Sequence, residues 1–577
     1  MVIGRRRTIK ENLAVVEEMQ FLKTTINNTE AGVNSPLQFD MQENQISYPT
    51  IGELVREIFN ASGLLASKSS KDAFLSSSQK KSIQTKIKRL ADESSKIEGK
   101  LKELGIQFSA LLEGINIDEK VRNVVIACVD EVLLVYKSVL NSDGTYTSKR
   151  ESMKYFLEHF LIGRIVFSLH KNYLKFNLPD LRSDVPNVKL WILPAFDSQK
   201  ILWPLANAWK QIYSQLGVSQ SYFHYPDKKH EDLQAIRNLE NAQHWSSKGQ
   251  LPSISALYDN FDYSVELLKR TCNKQLSANF RSERLKSFKL MLFIARVATY
   301  LFQRIEASFG REYLESIIKQ IMGASARLSR INQGLAKDIE IIRSQNYLIR
   351  QADIDSLHFS MVDNFWEDYS NRVLVGSETL QELIEEKIFD GLSDFEVKRI
   401  VIFCLGSLAA QEVLANKSYQ SIDFDKEPNR KKKDFFELLH EGFNLRKSPP
   451  SISDIEAYER ELESRDLKNA LLWLSEWCYA NFYYDKKDFL ESHVHYEKAF
   501  NHAKYCAGEN QYSLVNQYIE SCAKVHNRKA MKKAIAWAHY MGIEVRLIRN
   551  FDDPESEESI DFIYEIMGNH DYHSFPR

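Results

Sequence analysis

Three side chains that could contact or cleave a nucleic acid lie in the segment RNLENAQHWSSKGQLPS, residues 237–253. If residues 233–245 form an α-helix, a rotation of about 100° per residue places Arg237 and His244 roughly 20° apart, with Asn241 beside them. The opposite face then holds apolar side chains: Ala235, Leu239 and Ala242, flanked by Ile236 and Trp245. Arg and Asn suit purine edges, and a His beside an Arg suits acid–base chemistry on a phosphate. The spacing therefore predicts one polar row on a helix with an apolar back.

The residues that follow this row, from Trp245 to Leu257, form a second pattern. Trp245 is followed after seven steps by Pro252, and Ser253 and Leu257 come next, with Ser253 a candidate helix cap. The upstream segment LANAWKQIYSQLGVSQ carries a GxSQ element. Residues of about 205–261 resemble a helix-turn-helix of the lambda-repressor type, whose members bind DNA.

The helix-turn-helix resemblance implies roles for individual residues. Arg237, Asn241 and His244 would face the groove, and Lys248 would hold a phosphate. The segment departs from the family at Gly249, one position late, and at Pro226, which would interrupt the second helix.

The same row has an enzymatic alternative. RNLENAQH fits R-x(4–6)-H with a polar residue after the Arg, and it resembles the motif of HEPN ribonucleases. The resemblance implies metal-independent catalysis in which His244 is the general acid or base and Arg237 stabilises phosphate charge. A third alternative gives the row no function, as the solvated face of a helix in a structural scaffold.

Further basic residues extend the candidate nucleic-acid surface. Ten Lys/Arg against four Asp/Glu occur between Lys68 and Lys102. They accompany a predicted helix whose apolar residues form an a/d seam with Ser94 in its gap: Ile83, Ile87, Leu90, Ile97, Leu101 and Leu104. This helix either faces phosphates or an acidic partner, or is a bundle helix with a solvated basic face.

Two other basic segments are candidates for the same role. A helical segment contributes Arg327 and Arg330, and a predicted exposed loop that opens a helix contributes Arg430, Lys431, Lys432 and Lys433. Because the 577-residue chain has a net charge of -2, any attraction to nucleic acid must be local.

Cysteine usage and hydropathy predict the compartment. The six cysteines form no CxxC pair and lie mostly in apolar runs, which favours buried thiols in a reducing compartment. The first twenty residues lack the apolar core of a signal peptide, and the apolar stretches are too short to span a bilayer. We therefore expect a soluble cytoplasmic protein without a membrane partner.

The sequence carries none of the common cofactor or hydrolase motifs. GxxxxGK[ST], a strand-linked GxGxxG, HExxH and GxSxG are missing, so we expect no cofactor. Two histidine groups, His493/His495/His502 and His570/His573, are not expected to bind a metal. A buried Glu–His pair, functional or a satisfied core contact, could form among Glu396, Glu412, His440 and Glu441.

A repeat marks the C-terminal part of the chain. YEKAFNHA (496–503) and MKKAIAWA (531–538) match at a distance of 35 residues. Ala480, Tyr483, Ser492, Tyr496 and Ala499 also fit the small and aromatic positions of one unit. About residues 465–545 resemble tetratricopeptide repeats, which implies a helical solenoid that contacts proteins, with Tyr483 and Tyr496 as partner-binding residues. The alternative is an α-helical bundle with accidental spacing.

The chain as a whole predicts a mostly α fold. Gly (21) and Pro (13) are scarce, and the best candidate for one of a few short strands is VKLWILPAF, 188–196. The predicted regions are an N-terminal helix at 1–26, a polar arm at 27–78, a helical region with the basic seam helix at 79–180, the helix-turn-helix-like module at 181–262, a central helical domain at 263–447 and a repeat domain at 453–577.

These patterns favour a non-catalytic adaptor that binds nucleic acid, DNA rather than RNA, and recruits a protein partner through the C-terminal repeats. The alternatives are the HEPN-like ribonuclease and the structural scaffold. Large multi-part helical proteins often belong to microbial defence or regulatory systems, which is a background expectation that no residue here shows.

Overall fold

The chain is almost wholly helical where the structure describes it. A computed structural model describes residues 46–63, 77–91, 97–114, 117–142, 144–162, 165–166, 192–197, 200–227, 232–247, 249–271, 280–345, 350, 353, 356, 360, 397, 427–447, 450–547, 551 and 553–570. Within these ranges the side chains at 77, 80, 91, 142, 159–160, 283, 323–336, 338–339, 342, 427–430 and 432 are not described. All described residues belong to one unit, Glu43–Arg577.

Helices dominate these ranges, which confirms the mostly α prediction. The first nine are α1 Ile51–Ser62, α2 Ser77–Ala91, α3 Ile97–Gly114, α4 Glu119–Ser142, α5 Lys149–Tyr155, α6 Pro204–Leu216, α7 Gln220–His224, α8 Leu233–Ser247 and α9 Ile254–Thr271. The others are α10 Ser282–Phe309, α11 Arg311–Ser344, α12 Glu427–Lys447, α13 Ile452–Ser464, α14 Lys468–Asp485, α15 Phe489–Ala503, α16 Gln511–Lys524, α17 Arg528–Met541 and α18 Glu557–Asn569. A π-helical turn, Phe156–Leu161, follows α5, and a 3-10 turn, Gly508–Asn510, precedes α16.

The described sheet is a short antiparallel pair. Strand β1, Ala195–Phe196, lies at the end of the predicted strand and pairs with β2, Ile201–Leu202. Residues 188–191 of that prediction lie outside the described residues. No described helix combines the length and apolar character needed to cross a membrane.

The predicted seam helix is two helices folded against each other. Ile83, Ile87 and Leu90 on α2 and Ile97 and Leu104 on α3 are all buried, as the seam predicts. However, Lys86 Nζ lies 3.0 Å from Glu103 Oε2, whereas 17 residues of one helix would separate them by about 25 Å. The prediction of one continuous helix was therefore wrong, because two helices packed as a hairpin can show the same apolar spacing as one long helix.

Residues 46–63, which we call the N-terminal strap, join distant parts of the chain. The amide of Tyr48 donates to the carbonyl of Tyr505 over 2.8 Å, and Tyr136 donates its hydroxyl to the carbonyl of Pro49. Helix α1 begins with a capping box between Thr50 and Glu53, and it packs against α10. The strap therefore connects the central helices to the turn after α15.

The C-terminal end of α1 is held by a buried arginine. Arg296 of α10, 2% exposed, donates to the carbonyl of Ala61 over 2.6 Å and to that of Pro252 over 2.9 Å. Burial lowers the pKa of the Arg296 guanidinium to about 10. Gly63 follows at φ 72°, and a Cβ there would lie 2.3 Å from Arg296 Cζ. Only glycine fits this position without displacing the guanidinium.

The C-terminal helices pack in chain order. Helix α14 packs on α13 and α15, and α16 packs on α15, α17 and α18. Three of the connecting turns share one geometry, with positive φ at Asp466 (55°), Lys487 (61°) and His526 (58°). In each turn the next amide reaches the carbonyl five residues back, over 2.9, 3.0 and 2.8 Å, which is the Schellman pattern.

Helix α16 is buried on nearly every side. Trp477 Nε1 donates to Gln517 Oε1 over 2.5 Å, and Trp537 Nε1 donates to Gln511 Oε1 over 2.8 Å. Tyr484 donates its hydroxyl to the buried carboxylate of Glu520 over 2.7 Å. These bonds satisfy polar groups that would otherwise destabilise the core, and they fix how α14 and α17 sit on α16.

Candidate functional site

The polar row from the sequence lies on one face of α8. Arg237 is exposed and Asn241 and His244 are half-buried, while Ala235, Ala242 and Trp245 are buried. Asp232 caps the helix, because its Oδ1 accepts from the amides of Gln234 and Ala235 over 3.0 and 3.1 Å. The predicted helix is confirmed, and its apolar face is confirmed in part: Leu239 and Ile236 are only half-buried, and the polar Asn238 is buried. Lys248 lies outside the described residues.

The following helix also begins as the sequence predicts. The Ser253 hydroxyl accepts from the amide of Ala256 over 3.2 Å, so Ser253 caps α9.

The helix after the GxSQ element is short and buried. Helix α7 has five residues, is capped by Ser219 and ends two residues before Pro226. Its last residues, Phe223 and His224, are buried against α6 and α9. This helix offers no long exposed face, so any contact with a groove would fall to α8.

His224 is a structural residue in that core. Its ring bonds the Tyr213 hydroxyl over 2.8 Å and the Ser264 hydroxyl over 2.9 Å. Complete burial lowers the pKa of His224 to about 3. The ring is therefore neutral at neutral pH and ties α6, α7 and α9 together.

The charge around the row is balanced. Residues 204–271 contain seven Lys/Arg and seven Asp/Glu. Helix α8 itself carries Arg237 and Glu240 as its only Lys, Arg, Asp or Glu residues. The row therefore offers hydrogen-bonding groups without a strong local positive field.

The other predicted basic residues differ in environment. The run at Arg430 lies inside α12 rather than in a loop, because the helix begins before it. Lys431 Nζ lies 3.1 Å from Asp466 Oδ2, and Lys433 Nζ lies 3.8 Å from Glu437 Oε1, so both charges have carboxylate partners. Arg327 and Arg330 lie on α11. Their side chains, and those of Arg430 and Lys432, lie outside the described residues.

The two predicted partner-binding tyrosines have opposite environments. Tyr483 is half-buried on α14 at the surface. Tyr496 is fully buried and donates its hydroxyl to Asn481 Oδ1 over 2.7 Å, so its ring offers no surface to a partner in this structure. Tyr496 is therefore a packing residue in this structure, because its side chain points between α14 and α16.

Tyr483 belongs to a connected surface that sequence reasoning missed. The His495 ring stacks on Tyr483 and Tyr479, with ring centroids 5.3 and 5.1 Å apart. His495 Nδ1 lies 2.5 Å from Glu476 Oε2, and Glu491 Oε1 lies 3.8 Å from His495 Nε2. We call these five residues, together with Glu456 and Glu459 of α13, the acidic–aromatic face.

The acidic–aromatic face is electrostatically organised. Burial alone would raise the pKa of Glu476, but the hydrogen bond to His495 and the charges of His495 and Lys498 outweigh it and hold the pKa below the ordinary value. Tyr479 donates its hydroxyl to Glu459 Oε2 over 3.3 Å. Burial and the charge of Glu459 raise the pKa of Tyr479. The sequence signal was the spacing of Glu476, Tyr479 and Tyr483, which places them on one side of α14.

The remaining predicted histidines and carboxylates differ in their surroundings. No group of three or more His, Cys, Asp or Glu suited to a metal occurs among the described residues. His493 is buried and bonds Ser521 and Asn527, so it points away from His495 as predicted. Burial lowers the pKa of His493. His440 and Glu441 are exposed on α12, which contradicts a buried pair, and Glu396 and Glu412 lie outside the described residues.

Comparison with known proteins adds no family to this picture. A scan against protein-family models and searches of curated proteins and of solved structures gave no match to the chain.

Proposed function

We propose that the protein is a non-catalytic adaptor that recruits a protein partner through its C-terminal helices and contacts nucleic acid, DNA in preference to RNA, elsewhere. The acidic–aromatic face carries the proposal. Its aromatic rings are held by stacking and hydrogen bonds yet remain accessible from solvent at Tyr483. This is how rigid tyrosines contribute to protein interfaces, because little side-chain entropy is lost on binding.

The charge on this face selects the class of partner. The charges of Glu456, Glu459 and Glu476 act on Tyr479, and Glu491 lies 3.8 Å from the His495 ring. Lys498 lies 3.5 Å from Glu476 Oε1. The face therefore favours a partner segment with Lys or Arg side chains, which can pair with the carboxylates and stack on the tyrosines.

A site-specific photo-crosslinker tests this proposal in cells that make the protein. A benzophenone amino acid at Tyr483 should give one dominant protein adduct, and the same group at Tyr512, an exposed tyrosine on α16, should not. Charge reversal with Glu459→Lys and Glu491→Lys should reduce the adduct at Tyr483. Equal adduct patterns at the two tyrosines, or an adduct insensitive to charge reversal, would count against a specific interface.

The nucleic-acid half of the proposal is supported by the solvent-facing row on α8. Arg237→Ala, alone and with Lys248→Ala, should weaken duplex DNA binding and reduce the slope of log K against log salt by about 1 for each phosphate that is no longer neutralised. Arg270→Ala removes an exposed arginine of α9 that pairs with Glu266 and serves as the matched control. Wild-type protein that shows no binding at any salt concentration would refute this half.

A ribonuclease is the second candidate, and one observation favours it. Arg237 and His244 occupy the same partly exposed face of α8, as an acid–base pair acting on RNA requires. The wild-type protein should then cleave RNA in the presence of a metal chelator, and the His244→Ala variant should not. RNA that stays intact with the wild-type protein would eliminate this candidate.

A further inference from the structure

The hairpin of α2 and α3 carries a basic surface with few neutralising carboxylates. Helix α2 contains five Lys/Arg and no Asp/Glu. Its buried seam turns the opposite side outward, so Lys81, Lys88 and Arg89 are exposed. At about 100° per residue these three lie within a sector of about 100°.

The described carboxylates of α3 that form ion pairs have other partners, one of which is Lys86 of α2 itself. Glu98, Glu103 and Glu113 of α3 pair with Lys137, Lys86 and Arg122 at 3.8, 3.0 and 3.3 Å. Among the described residues no carboxylate pairs with Lys81, Lys88, Arg89 or the exposed Lys102 of α3. Their charges therefore add to one local positive field, unlike the balanced region around α8.

The chemistry of the rest of this surface indicates the kind of polyanion. The exposed neutral residues of α2 include Ser82, Gln84 and Thr85, whose hydroxyl and amide groups suit phosphate oxygens. The apolar residues of α2 whose side chains are described, Ile83, Ile87 and Leu90, are buried, so this helix has no exposed apolar side to insert into lipid. Phosphate groups of a nucleic acid fit this combination better than a membrane surface does.

We propose that the exposed face of α2, with Lys102 of α3, binds the phosphate backbone of a nucleic acid. This inference rests on the proposed nucleic-acid function and assigns its affinity to the hairpin rather than to α8. About four phosphate contacts would give a slope of log K against log salt of about -3.6 on duplex DNA. The α8 row would then orient the nucleic acid without supplying most of the affinity.

The test compares two triple variants that remove the same charge. Lys81→Gln/Lys88→Gln/Arg89→Gln removes the hairpin charges while keeping unbranched polar side chains of similar helix propensity. Lys210→Gln/Lys319→Gln/Lys529→Gln removes three exposed lysines of α6, α11 and α17. Binding of fluorescent duplex DNA and single-stranded RNA is measured by anisotropy between about 50 and 200 mM salt, with circular dichroism as the folding control.

We expect the hairpin variant to lose at least about tenfold in duplex affinity and about 2.7 units of salt slope, while the control variant behaves as wild type. Equal losses in both variants would overturn the inference, because net charge would then explain binding. A hairpin variant that binds like wild type would overturn it and leave the proposed function standing. A wild-type protein that binds neither nucleic acid would overturn both this inference and the nucleic-acid half of the proposed function. Wild-type protein that loses binding to phosphatidylserine vesicles or polyglutamate, but not to nucleic acid, when the hairpin charges are removed would overturn this inference alone.

Discussion

Gly63→Ala is the sharpest test of how the N-terminal strap is held, because it adds one methyl group next to the buried guanidinium of Arg296. The new Cβ would lie 2.3 Å from Arg296 Cζ and 2.4 Å from Nε, far inside van der Waals contact. Arg296 cannot swing into solvent without breaking its bonds to the carbonyls of Ala61 and Pro252. The substitution therefore acts on the strap through the guanidinium.

Two contributions set the magnitude. An alanine at positive φ costs about 1–2 kcal/mol, and each charge-assisted hydrogen bond that Arg296 loses costs about 1.5–3 kcal/mol. We expect Gly63→Ala to destabilise the strap by about 3–5 kcal/mol. Gly217→Ala isolates the first contribution, because Gly217 has φ 67° and nothing within 4 Å of a Cβ, so it should cost about 1–2 kcal/mol.

Hydrogen exchange of the α1 amides, read by mass spectrometry, measures the opening free energy of the strap, with the α17 amides as an internal reference. In the Arg296→Met background, where the clash is relieved, Gly63→Ala should cost only the backbone contribution. The two substitutions should therefore be non-additive by about 2–3 kcal/mol. Additive costs, or a Gly63→Ala cost equal to that of Gly217→Ala, would refute the reasoning.

Three further changes probe a buried histidine, a connecting turn and a buried tyrosine. The pKa of His224 is about 3 in the folded protein and 6.5 in its ordinary state. The neutral ring therefore contributes to the unfolding free energy above pH 6.5, and this contribution is lost as the pH falls. About 2 kcal/mol of unfolding free energy should disappear between pH 7 and 5. Urea titrations at several pH values should show a smaller loss of unfolding free energy in His224→Gln than in the wild type. The same pH dependence in both proteins would contradict this role of His224. Lys487→Gly relieves a positive φ of 61° and should raise the unfolding free energy by about 0.5–1 kcal/mol; a lower melting temperature would argue against this turn geometry. Tyr496→Phe removes the bond to Asn481 and should cost about 1–2 kcal/mol in denaturant unfolding, whereas no loss would mean that the bond contributes nothing.

Periodicity predicted the helices and their buried sides because both are local consequences of one rotation per residue. The faces of α8, the seam of α2 and α3, and the opposite directions of His493 and His495 all followed from it. The spacing of the apolar residues did not show that α3 folds back on α2, because a turn between two helices can leave that spacing unchanged. The ion pair between Lys86 and Glu103 is what distinguishes a hairpin from a rod.

The candidate surfaces were less predictable because they depend on contacts between helices. Glu476 and His495 are 19 residues apart and meet only because the turn at Lys487 reverses the chain. Sequence spacing gave Tyr483 and Tyr496 the same partner-binding role, but Tyr483 is half-buried at the surface whereas Tyr496 points into the core. A motif position thus indicates where a side chain sits in a repeat unit, and only packing decides whether solvent reaches it.

The N-terminal strap also has a consequence for biosynthesis. The amide of Ile51 bonds the hydroxyl of Tyr505, 454 residues later in the chain. At about 5–20 residues per second, the ribosome needs about 20–90 s to supply that partner. Until then the amides of Tyr48 and Ile51, which bond the carbonyl and the hydroxyl of Tyr505 in the finished protein, lack this partner. The first described helix therefore completes its N-terminal contact only after Tyr505 has been made, long after its packing partner α10 is available.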